Sequence, residues 1–96
     1  MLKSLAVAIG LGTIAVAGVV GAEPPAGAVS CSGCHPASAR VASPVLRLNG
    51  VDRAAIVRAM QEFRSGQRTG TVMDRISKGF TDNEIQAIAA WYATQR

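Results

Sequence analysis

Cys31-Ser32-Gly33-Cys34-His35 constrains this chain more than any other run of residues. Two residues between the cysteines put both sulfurs on one side of a single helical turn, and the histidine that follows projects towards whatever lies between them. C-x-x-C-H is the attachment signature of a covalently bound c-type haem: the thiols add across the two porphyrin vinyl groups and the histidine supplies an axial nitrogen to the iron. Other uses of the residues fit less well. A structural zinc site needs four ligands, and the chain has two Cys and one His in total. A thioredoxin-type dithiol expects a βαβ context, whereas no stretch here alternates apolar and polar residues as a strand does. A disulfide across two residues closes too small a loop to stabilise much.

Residues 1–22 read as an export signal that is cleaved. Lys3 is the charged start, Leu5 to Val20 is apolar and rich in Ala and Gly, and Val20-Gly21-Ala22 offers small residues for cleavage before Glu23. A retained anchor is the competing reading, disfavoured by the glycines and the lack of an aromatic belt. Export places the protein in the periplasm, with no membrane attachment after cleavage, and an oxidising compartment suits a chain whose cysteines are both claimed.

Residues 23–96 then form one small domain, and so short a chain struggles to bury enough apolar surface alone. One haem would complete its core. The net charge of +4 falls by one with Lys3 and by two more with ionised haem propionates, which leaves no case for a nucleic-acid partner. The fold class expected is all-α, three or four helices joined by glycine-marked loops. The first helix, about Val29 to Ala39, carries the motif. Pro44, Asn49 and Gly50 mark an irregular connection. Asp52 caps a second helix with Ile56, Met60 and Phe63 at helical spacing, ended by Ser65-Gly66. Gln67 to Val72 is a loop running into Met73, and Asp74 to Lys78 forms one turn closed by Gly79. Thr81-Asp82-Asn83-Glu84 has the form of a capping box. Beyond it Ile85, Ile88, Ala89 and Tyr92 line one face of the last helix, with Trp91 packed beside them against the first helix.

With His35 as fifth ligand and no second His, methionine is the candidate for the sixth. Met1 leaves with the signal. Met60 sits on an apolar helix stripe, where core packing explains it. Met73 follows a glycine-containing loop able to carry a thioether to the far face of a flat ring. An open or exchangeable sixth site is the remaining alternative. An iron with both axial positions filled by neutral protein ligands has nowhere to bind substrate, so such a site is expected to pass single electrons rather than to catalyse. The six Asp and Glu residues are scattered and form no hydrolytic constellation.

The motif near the start of 23–96, a loop methionine downstream and a capped terminal helix with aromatics together resemble a class I cytochrome c, and the resemblance covers that whole stretch. Glu62-Phe63-Arg64-Ser65-Gly66 with Thr71-Val72-Met73-Asp74-Arg75-Ile76-Ser77-Lys78-Gly79-Phe80 is similar to the cytochrome subunit of flavocytochrome c sulfide dehydrogenase, and also to small cytochromes that diffuse freely. It implies one covalent haem c on Cys31 and Cys34, axial ligands His35 and Met73, and a proline carbonyl, best matched by Pro44, accepting the imidazole proton of His35. Implied partners are a periplasmic flavoprotein that oxidises sulfide, or other redox proteins if the chain is a soluble shuttle. A haem sensor whose methionine detaches is a third expectation. The resemblance further implies an apolar docking patch framed by Val29, Ala37 and Val72, with Arg40, Arg75 and Lys78 at its rim.

Overall fold

The computed structural model describes residues 4, 6, 8–14 and 23–96. The expected export signal and its cleavage point fall largely outside the described residues. Among those described, every regular element is helical, and no helix is long and apolar enough to cross a membrane. The elements are α1 (Ala28–Cys31), α2 (Arg53–Ser65), α3 (Met73–Ile76), a 3-10 turn (Ser77–Gly79) and α4 (Asp82–Thr94).

Local chemistry sets the two long helices. Asp52 caps α2, its Oδ2 accepting the Ala55 amide at 3.2 Å, and Gly66 closes it at φ +83, a left-handed conformation that glycine adopts without strain. In α4 the capping box is complete: Thr81 Oγ1 accepts from the Glu84 amide at 3.2 Å while the Glu84 carboxylate accepts from the Thr81 amide at 2.9 Å. Those bonds to the ionised form hold the Glu84 carboxyl below the ordinary glutamate range.

The core lies between α2 and α4, with α1 laid across α4. Its buried members are Ala28, Ile56, Ile88, Ala89 and Tyr92, with Ile85 buried as well. Leu48, Val51, Val57, Met60, Phe80 and Trp91 pack around them. All four expected apolar positions of the last helix are therefore inside, and Trp91 meets the neighbouring Tyr92 edge-to-face with centroids 4.9 Å apart. Arg64 joins α2 to the start of α4, donating to the Phe80 carbonyl at 3.2 Å and pairing with Asp82.

The motif helix is shorter than the expected span of about Val29 to Ala39. It is α-helical only over Ala28–Cys31, continues as turns through Cys34, and ends at His35, whose amide still reaches the Cys31 carbonyl at 2.9 Å. Pro36 explains the stop, since it disfavours helical geometry at the residue before it and has no amide to continue the ladder. A second difference concerns Met73, expected in a loop but found as the first residue of α3, with Asp74 in the first turn.

Candidate functional site

The motif is fixed to the fold at both ends. Gly27 precedes α1 at φ +87, and a Cβ there would lie 2.6 Å from the Phe80 ring, so only glycine admits this approach. Tyr92 of α4 then donates its hydroxyl to the Ala28 carbonyl at 2.6 Å. Burial raises the Tyr92 phenol above its ordinary value, and the adjacent Cys31 adds to the shift. Cys31 is half-buried against the same core, and burial pushes its thiol up as well. Cys34 is exposed, and both thiols are free.

Beyond Cys34 the backbone turns so that the half-buried His35 faces the connection from Pro36 to Asp52. Its Nδ1 meets the carbonyl of Leu46, and Arg47 Nε donates to the Ala37 carbonyl, closing that loop on itself. The acceptor is thus Leu46 and not the expected Pro44. Pro44 sits in a bend that Ser43 organises by accepting the Val45 amide at 3.1 Å, and the chain needs two further residues to come level with the imidazole. Sequence reasoning missed Leu46 because the acceptor is main chain, which any residue supplies; no side-chain signal marks it.

A histidine that gives its Nδ1 proton to a fixed acceptor presents Nε2 as a lone-pair donor in a set orientation, with raised basicity. Among the described residues nothing bonds to His35 Nε2. Met73 is partly buried at the start of α3, beside Gly70, where an added Cβ would lie 3.3 Å from the Met73 Cβ and 2.9 Å from the Phe63 ring. Met60 packs on the core instead. α1 packs on α4, while α3, which Met73 begins, packs on α2, and the two short helices make no contact with each other. The apolar side chains left exposed in 23–96 lie on these same segments, namely Val29, Val41, Val45, Leu46, Val72 and Ile76. Two thiols, an imidazole with one nitrogen committed, a thioether and an apolar surround are the donor set and lining that a c-type haem takes.

A scan against protein-family models finds no match. Among curated proteins, the chain is 38% identical over 64 residues to the cytochrome subunit of sulfide dehydrogenase of Chlorobaculum tepidum, covering 67% of this chain and 58% of that one. It is 36% identical over 72 residues to the thiosulfate dehydrogenase electron acceptor of Stutzerimonas stutzeri, covering 73% and 32% respectively. The chain is a c-type cytochrome. Cytochrome c4 of Pseudomonas aeruginosa is 29% identical over 97 residues, spanning 100% of this chain and 48% of its own length. This cytochrome therefore spans between about a third and three fifths of the curated relatives it matches. Its all-α architecture agrees with the class I cytochrome c expectation.

Proposed function

We propose that this cytochrome carries one haem c, attached through Cys31 and Cys34 with His35 and Met73 as axial ligands, and serves in the periplasm as the electron-accepting subunit of a flavoprotein that oxidises sulfide. Residues 23–96 form the functional domain and 1–22 the cleaved leader. The observation that carries the reading is the bond from His35 Nδ1 to the Leu46 carbonyl, next to two free thiols on one turn. It fixes the tautomer before any metal arrives and leaves Nε2 as the ligand. When bound, haem supplies a reversible one-electron couple. The chain's residues do the rest: Cys31 and Cys34 hold the group covalently, His35 donates a nitrogen of fixed orientation, and Met73 donates a soft sulfur that favours the reduced state. With His35 and Met73 both holding the iron, no position on it is left for a substrate, so the role is transfer and not turnover.

The Chlorobaculum relative's name supports the subunit reading. The Stutzerimonas relative, named as an electron acceptor, supports a second one, a cytochrome that diffuses between redox proteins.

The test is to export the full chain through a haem-ligating periplasm and purify it. Haem should survive acid-acetone extraction and denaturing electrophoresis, and Cys31→Ala or Cys34→Ala should weaken or abolish its retention. Haem that washes out of the wild type refutes the reading. Co-purification with a flavin-containing protein that reduces it upon addition of sulfide separates the subunit from the shuttle, which would elute alone.

A further inference from the structure

Asp74 is an acid whose carboxylate has no visible task. Asp52 caps α2, Glu84 closes the capping box, Asp82 pairs with Arg64 and Glu62 with Arg68. Asp74, by contrast, has a buried Oδ1 with no hydrogen-bond partner among the described residues. Its neighbours do not relieve it. Arg75 and Lys78 are exposed and form no ion pair with it, and the fully buried Ser77 hydroxyl donates to the Asp74 backbone carbonyl at 3.3 Å instead of to the side chain. A buried acceptor without a donor costs stability, so its presence calls for a reason.

Position supplies one. Asp74 follows Met73 directly in the first turn of α3, so the two Cα atoms are only about 3.8 Å apart. A carboxylate with one oxygen out of water acts on its neighbours through an effective dielectric below that of bulk water and is screened less by salt than a fully solvated charge. We propose that Asp74 sets the reduction potential of this cytochrome: its uncompensated negative charge beside Met73 favours the oxidised, more positive iron and offsets part of the pull of the thioether towards the reduced state. The inference rests on Met73 being the axial ligand. Asp74 touches neither iron nor ring in this scheme; it acts by its field.

The experiment uses the exported chain with haem attached and compares wild type, Asp74→Asn, Asp74→Glu and the exposed, ion-paired Asp82→Asn by potentiometric titration at one pH, after haem content and spectrum have been recorded for each. Asp74→Asn should shift the ratio of reduced to oxidised protein about tenfold towards reduced at a given applied potential, a rise of about 59 mV for one electron. Asp74→Glu, which keeps the charge, and Asp82→Asn should stay near wild type. A merely structural role would lower the melting temperature without this pattern. An unchanged midpoint in Asp74→Asn overturns the proposal, as does a Glu variant that moves as far as the Asn variant. Should Asp74→Asn not be recovered folded, Asp74→Ser takes its place under the same criterion. Absence of covalent haem from the wild type would sink the proposed function and this inference together, whereas haem present with an unmoved potential sinks this one alone.

Discussion

Replacing Tyr92 with Phe removes one hydroxyl and leaves the ring, its edge-to-face contact with Trp91 and its burial in place. The hydroxyl donates to the Ala28 carbonyl at 2.6 Å, at a site where Tyr92 is 3% and Ala28 0% exposed. A hydrogen bond of this kind is worth about 1 kcal/mol net, and a buried carbonyl stripped of its donor adds a desolvation cost, so the total should be about 2 kcal/mol. For a domain of this size each kcal/mol corresponds to roughly 4–8 °C, which predicts a melting temperature lower by roughly 8–16 °C. Thermal unfolding of the haem-loaded protein followed by far-ultraviolet circular dichroism measures it. A second signature lies at alkaline pH. The folded phenol is held above its ordinary value, so the unfolded state ionises first; the wild type loses this contribution as pH rises from the ordinary tyrosine value through the raised one. Tyr92→Phe, with nothing to ionise, should show none of that component. A melting temperature within about 2 °C of wild type, with the same alkaline profile, would refute the view that this bond ties α1 to α4.

Met73→Ala should admit exogenous ligands to the iron and lower the midpoint potential, whereas Met60→Leu, a volume-conserving change against the core, should cost less than about 1.5 kcal/mol and leave the spectrum alone; optical ligand titrations and melting curves distinguish them, and the reverse pattern would make Met60 the ligand. Thr81→Ala, which deletes one half of the capping box, should destabilise by about 1 kcal/mol in denaturant titrations. Because the folded Glu84 carboxyl lies below the ordinary range, its contribution is present above the unfolded value and fades as pH falls through the folded one; Glu84→Gln should flatten that part of the acid limb. Charge reversal at Arg75 or Lys78 should slow reduction by the proposed flavoprotein partner at low salt, with the difference shrinking as ionic strength rises. Identical stopped-flow rates at low salt would remove both residues from the docking surface.

The two long helices were legible because each is specified within a few residues of itself. Asp52, Gly66 and the Thr81–Glu84 box mark ends by local hydrogen bonding, and Ile85, Ile88, Ala89 and Tyr92 repeat at the helical period on the buried face. The candidate site was legible where chemistry demands particular side chains, as at Cys31, Cys34 and His35. Two features escaped for the same reason. The Leu46 carbonyl and the Ala28 carbonyl are main-chain acceptors placed by tertiary folding, and the partner of the latter is 64 positions away. The motif helix, expected over about Val29 to Ala39, covers only Ala28–Cys31, because Pro36 ends it and no apolar repeat marks its far end.

The use of a peptide carbonyl to orient His35 has a consequence for how such a protein can change over generations. A carbonyl is blind to the identity of its own side chain, so the bond to His35 by itself places no demand on which residue stands at position 46. What selection can hold is the number of links between His35 and Leu46 and the closure of that loop by Arg47 on Ala37. A saturation library should therefore find the orientation of His35 more sensitive to a single deletion or insertion between 37 and 45 than to the choice of side chain at 46, and the heritable trait in this bond is a length of chain, carried by no letter in particular.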